Sequence, residues 1–193
     1  SSLNGWDVDV SQTYGSNSLR YTIAHTLNAS IAYKDLLAGG KGVSASSFDA
    51  GGFAFKQATT NLDVSRYFPE LLGGSNIAFG AEARQERYSI MAGEPGSYID
   101  ADGVGFGGNA GSQGFPGFQP SDETRRNRRS QALYADWEVT PTSGLTLDAA
   151  LRAEHYSDFG NTTTGKLAAS YKAAPGLLLR GAASTGFRAP SLQ

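Results

Sequence analysis

The stretch that decides the fold is Leu145-Thr-Leu-Asp-Ala-Ala-Leu-Arg-Ala-Glu-His-Tyr156. Leu145, Leu147, Ala149, Leu151 and Ala153 fall on one parity; Thr146, Asp148, Ala150, Arg152 and Glu154 fall on the other. Successive side chains of a strand point to opposite faces, so this period of two makes one apolar face and one polar face. A helix would smear both sets around its circumference, and no cap residues flank the stretch.

The same alternation spreads outward. Leu167, Ala169, Tyr171 and Ala173 oppose Lys166, Ala168, Ser170 and Lys172, and Leu177, Leu179, Gly181 and Ala183 oppose Leu178, Arg180, Ala182 and Ser184. Upstream, Leu133, Ala135, Trp137 and Val139 oppose Tyr134, Asp136 and Glu138, and Ile77, Phe79, Ala81 and Ala83 oppose Glu82, Arg84 and Glu86. Leu62 and Val64, then Trp6, Val8 and Val10, repeat the pattern. A slip of one residue would move every charge to the apolar side, so register is well specified. Ser18 to Leu27 reads either as strand or as a short helix entering a loop. Thr140–Gly144 and Ala174–Gly176 are short connections, and Ser157–Thr163 is intermediate. Two long stretches, about 28–52 and 91–129, alternate with the short ones, as in an up-and-down meander with short turns at one end and long loops at the other. Loops of that length are usually functional or disordered.

Composition limits the function classes. The 193 residues contain no cysteine, two histidines and a net charge of −2. Disulfide scaffolds, thiolate zinc sites and multi-histidine metal centres are therefore not expected. Binding driven by phosphate neutralisation needs a basic excess that is missing, so no nucleic-acid partner is expected. No apolar run is long enough for a transmembrane helix, a test that does not touch transmembrane barrels. The start, SSLNGWDVDVSQTY, has neither the basic nor the apolar region of a signal peptide. Both ends read as cuts, so the chain is expected to be a piece of a longer protein.

Several motifs fail on spacing. Asp100-Ala-Asp102-Gly103 opens like a calcium loop, but the sixth and twelfth positions are Gly105 and Gly111, so the bidentate acid is missing. Gly103 to Gly111 is rich in glycine without a Walker lysine, and reads as a mobile segment rather than a phosphate cradle. Glu82, Arg84 and Glu86 with Arg152 and Glu154 form a charged ladder, not an acid–base pair. No Ser-His-Asp arrangement or nucleophile elbow is present, so no enzyme, cofactor or metal site is expected. Arg125-Arg-Asn-Arg-Arg129 is the one dense basic cluster, read as a solvated loop base or an anion contact. Tyr98, Phe106, Phe115 and Phe118 lie in the second long stretch. They either stack on a ligand or tuck against the mouth of the fold; with Arg125 and Arg126 they are the candidate ligand contacts.

Two architectures accept a sheet with one apolar face. A soluble β-sandwich, serving as a ligand-binding module, would bury that face. A transmembrane barrel would turn it to lipid and the charges to a wet lumen. Aromatics near strand ends (Trp6, Tyr14, Phe53, Tyr67, Trp137), two-sided loop lengths and an apolar face thin in bulk favour the barrel. A complete eight-stranded barrel is a third form, which would call for a signal peptide and a closed ring.

Near the end of the chain stand Tyr156-Ser-Asp-Phe-Gly160, Gly165-Lys166, Arg180-Gly181 and Ser184-Thr-Gly-Phe-Arg-Ala-Pro-Ser191. With Phe48-Asp-Ala-Gly-Gly52, Asn61-Leu-Asp63, Phe79-Gly-Ala-Glu82, Ala92-Gly-Glu94 and Phe115-Pro-Gly117, they make the chain resemble TonB-dependent outer-membrane receptors. The most specific part is Gly186, Phe187, Arg188, Ala189 and Pro190. The resemblance implies an all-β antiparallel meander of about seven or eight strands, a fragment of a larger barrel of about 22 strands, with long extracellular loops. It implies a Gram-negative outer membrane and energy-coupled uptake of a scarce nutrient, such as a ferric siderophore or an oligosaccharide. Partners would be outer-membrane lipid, the nutrient, a plug domain and TonB. No plug, TonB box or final aromatic-ended strand lies in these residues.

Overall fold

The computed structural model describes residues 2–103 and 107–192. Its strands are β1 (Ser2–Leu3), β2 (Trp6–Ala24), β3 (Ser47–Phe68), β4 (Ser75–Met91), β5 (Thr124–Thr142), β6 (Leu145–Tyr156), β7 (Gly160–Ala174) and β8 (Leu177–Ser184). They form one sheet in sequential order, from β1 to β8. The pairs β1–β2, β5–β6, β6–β7 and β7–β8 are antiparallel. One helix, α1 (Ala29–Leu37), stands between β2 and β3. No helix among the described residues is long and apolar enough to cross a membrane, which says nothing of strands. The chain divides into two compact units, one of Ser1–Gly15, Gln57–Glu86 and Arg128–Ser191, the other of Ser16–Lys56, Arg87–Asn127 and Leu192–Gln193.

In the first unit, register follows from the alternation. Leu133 pairs with Ala153, Ala135 with Leu151, Trp137 with Ala149 and Val139 with Leu147. Ala149 and Leu151 then face Leu167 and Gly165, and Leu167 faces Ala183. Every apolar residue thus meets another across the ladder, and Tyr134–Arg152 and Glu138–Asp148 occupy the opposite parity. The β5–β6 ladder shifts between Val139 and Thr142. Pro141 lies there, and proline cannot donate to a ladder. The β1–β2 hairpin turns on Asn4 and Gly5, both at positive φ (51° and 81°), the two-residue geometry that suits strand twist.

The apolar parity is open. Leu133 and Leu167 are each 67% exposed and Leu151 58%. A sandwich would bury this row under a second sheet; the strands form a single sheet and the row is bare. The buried apolar residues among those described are few: Phe48, Ala50, Ala132, Val139 and Tyr156.

The boundaries differ from the sequence reading in four places. Ser18–Leu27 is strand through Ala24, and the helix begins only at Ala29. The connection between β2 and β3 spans 25–46, not 28–52. Phe48 and Ala50 are buried and Gly51 has φ +80°, so the start of β3 carries no exposed-and-buried alternation to read. The connection between β4 and β5 spans 92–123, because the arginine cluster 125–129 belongs to β5; a run of like side chains hides the period of two. The β6–β7 connection is residues 157–159, shorter than expected.

Candidate functional site

In the second unit the two long connections are sewn together by small polar side chains. Asn28 is fully buried and caps α1: its Oδ1 accepts from the Ser30 and Ile31 amides, at 3.0 and 3.2 Å, and from Ser30 Oγ at 2.6 Å. Its Nδ2 donates to the carbonyls of Gly96 and Ile99, at 2.9 and 3.0 Å. Ser112 donates its amide to Ser97 O at 3.0 Å and its hydroxyl to Phe115 O at 2.8 Å. Ser97 O also accepts from the Gly117 amide at 2.8 Å, and Phe118 donates to Ala50 O at 3.0 Å. Buried polar groups are tolerated only when paired, and here they are.

Within the glycine-rich stretch 103–111, residues 104–106 lie outside the described residues, and a Cβ on Gly108 would lie 2.1 Å from the Ala29 carbonyl carbon. Beyond that stretch, a Cβ on Gly117 would lie 2.0 Å from Ser97 Oγ. Glycine at these two sites permits close approach. The Gly108 amide donates to Asp102 Oδ2 at 2.7 Å, so it is engaged within the chain and not free to cradle an anion.

Against this polar seam lies a group of rings. Tyr21 is 5.0 Å from Phe115 and 6.3 Å from both Phe53 and Phe118. Phe115 meets Phe118 edge to face at 5.7 Å, and Phe53 lies 6.5 Å from Tyr88. Phe115 and Phe118 are therefore half-buried against strand residues. Tyr98 is half-buried at the end of the Pro95–Ser97 turn, and Phe106 lies outside the described residues. Arg125 and Arg126 are exposed on β5, with no ion pair among the described residues. Nearby, Arg20 pairs with Asp49, and Arg87 Nε donates to Asn127 Oδ1 at 3.0 Å. Tyr21 and Tyr88 were not singled out in the sequence, and Phe53 was read there only as a strand-end aromatic; aromatics in strands that flank the long connections were the available signal.

In the first unit the polar parity is interlocked. Glu82 binds Arg84 at 2.8 Å and Arg152 at 3.3 Å, and Arg152 reaches Glu154 at 2.7 Å. Tyr156 donates to Glu154 at 3.1 Å, Lys166 pairs with Asp148 at 3.1 Å, and the Tyr134 hydroxyl donates to Asp63. Each of these four carboxylates, Glu82, Glu154, Asp148 and Asp63, holds a cation or hydroxyl in place, the arrangement of a charged ladder. Arg128 is buried: it binds Asp158 at 2.7 Å and lies 5.3 Å from the Phe159 ring. That hydrogen bond holds the Asp158 carboxyl below the usual carboxylate range, against partial desolvation. Phe187 packs 5.4 Å from Phe159 and 5.9 Å from Tyr156, while Thr185 bonds Gly165 through its amide at 2.9 Å. Arg188 and Pro190 are exposed beyond it, so Phe187 is the residue that anchors the Gly186–Pro190 run. Among the described residues no three His, Asp or Glu side chains gather as metal ligands.

The sequence profile of the family described as TonB dependent receptor-like, beta-barrel matches residues 1–193. The chain belongs to this family. A search of curated proteins finds no match. For a receptor barrel, the features above fall into place at family level: a sequential antiparallel sheet, one bare apolar parity, a ladder of paired charges on the other, and long connections packed with the adjoining strand ends in one unit.

Proposed function

We propose that this chain forms part of the wall of an outer-membrane receptor that takes up a scarce nutrient with energy delivered through TonB. One observation carries the reading: leucines of one parity are exposed while Glu82, Arg84, Asp148, Arg152, Glu154 and Lys166 of the other parity are paired with one another. In water that arrangement is unfavourable, because each buried leucine side chain gains about 1.5–3 kcal/mol over an exposed one. In a bilayer the bare row meets acyl chains and the paired charges line the lumen, where a plug domain would sit. The connections 25–46 and 92–123 then lie on the extracellular side. Tyr98, Phe106, Phe115, Phe118, Arg125 and Arg126 are their candidate contacts to a ferric siderophore or an oligosaccharide. The reaction is transport, with no bond made or broken by this chain.

The wall reading is tested in the full receptor reconstituted in liposomes with brominated acyl chains. A fluorophore on Leu167→Cys should be strongly quenched, and one on Lys166→Cys, one residue away, should not. Equal quenching of the two would reject a lipid-facing row.

A further inference from the structure

The apolar face of the first unit carries one cation at its turn end. Along β3, Leu62, Val64, Arg66 and Phe68 share a parity, so an arginine stands in a row otherwise made of aliphatic and aromatic residues. Its guanidinium carbon lies 4.8 Å from the centroid of Phe68 and 5.7 Å from that of Trp6. Trp6 packs edge-on against Phe68 at 5.8 Å and against Phe79 at 5.7 Å, and Phe79 is 44% exposed on that face. Arg66 Nη1 donates to the Asn4 carbonyl at 3.2 Å. The Asn4-Gly5 turn brings backbone up to the guanidinium; a Cβ on Gly5 would lie 3.4 Å from its carbon. The group is thus held in place from two sides.

It has no counter-ion among the described residues. Arg20, Arg84, Arg128, Arg152 and Lys166 all pair with carboxylates, whereas half-buried Arg66 makes no ion pair among the described residues. Aromatic faces attract a cation but do not neutralise it. A half-buried cation among rings, with the Asn4 carbonyl as its one polar partner among the described residues, keeps N–H groups to offer to an anion from outside the chain. Aromatic belts sit at the level of lipid headgroups, and a planar guanidinium matches a phosphate with two parallel N–H groups.

We propose that Arg66, framed by Trp6, Phe68 and the Asn4-Gly5 turn, binds the phosphate of an anionic phospholipid. The proposal rests on the reading that this face meets lipid. The site is a headgroup seat at the short-turn end of the strands: the guanidinium takes the phosphate, and the rings flank the upper part of the acyl chains.

The test uses the full receptor, delipidated in mild detergent and titrated with phosphatidylglycerol while bound lipid is followed by native mass spectrometry. Wild type should hold one phosphatidylglycerol that Arg66→Gln binds about fivefold more weakly, the worth of one basic residue at an anionic membrane surface. Arg66→Lys should recover part of the loss, because it keeps the charge and lacks the fork. Inorganic phosphate at millimolar concentration should not displace the lipid. Equal affinity of wild type and Arg66→Gln, or displacement by inorganic phosphate alone, would overturn the site. If Arg66→Gln loses the heat-modifiable migration of a folded barrel, the variant Trp6→Leu/Phe68→Leu removes the frame and keeps the cation, and the same loss is expected. The Leu167 label separates the two levels of the argument. Strong quenching with unchanged lipid binding in Arg66→Gln rejects only the headgroup seat; absent quenching rejects the wall reading and the seat together.

Discussion

Asn28 shows how much one side chain can hold. It is fully buried: its Oδ1 accepts three hydrogen bonds from the first turn of α1 and its Nδ2 donates two to the 92–123 connection, so one side chain ties the two together. Asn28→Ala would remove a helix cap and leave the Gly96 and Ile99 carbonyls short of a donor in a dry place. A lost cap is worth about 1 kcal/mol, and an unsatisfied buried group about 1–3 kcal/mol. Local opening should therefore become easier by roughly a hundredfold. Hydrogen exchange on the full receptor checks this: amides of 28–31 and 96–118 should exchange faster by that order, while β6 and β7 stay protected. Unchanged exchange in both connections would mean that Asn28 is not what joins them. This residue was hard to find beforehand. A loop core made of Asn and Ser has the composition of a solvated loop, and the one signal on offer, Asn28-Ala-Ser as a cap before apolar Ile31, was not read as such.

At the scale of elements, legibility tracked whether the two faces of a strand differ. Leu145–Tyr156 places its aliphatic leucines on one parity and Asp148, Arg152 and Glu154 on the other, and its register followed. The start of β3 is covered on both sides, and the start of β5 is a run of arginines; neither shows contrast, and both were read as loop. The candidate ligand contacts were legible as aromatics on a long connection, but their partners were not, since Tyr21 and Phe53 lie far off in sequence on β2 and β3. The connection 92–123 therefore presents Phe115 and Phe118 from a supported surface. Contact with a ligand from such a surface needs little ordering, which favours affinity. If the proposed uptake holds, replacing both with alanine in the full receptor should weaken binding of the nutrient by about tenfold, taking about 0.5–1.5 kcal/mol per aromatic contact. Isothermal titration on folded receptor measures it; an unchanged dissociation constant would remove these rings from the ligand site.

At the scale of the whole molecule, the bare apolar parity decides behaviour. Leu133, Leu147, Leu151, Leu167, Leu177 and Leu179 are exposed together, and β8 is exposed at all eight positions. Soluble monomers rarely show contiguous apolar patches beyond a few hundred Å², and a strand with unpaired backbone groups is a template for further pairing. In the proposed outer-membrane setting, acyl chains would cover the row. In water, nothing among the described residues does. The 193-residue chain in detergent-free buffer should therefore self-associate, and micelles should disperse it with its strand content intact. Light scattering coupled to size exclusion, with circular dichroism on the same fractions, follows both. Changing Leu133, Leu151 and Leu167 to threonine keeps β propensity and lowers the apolar area, so it should shift the distribution toward smaller species. A monodisperse monomer of the unaltered chain in water, with native strand content, would contradict a lipid-facing row and favour a fold that hides it.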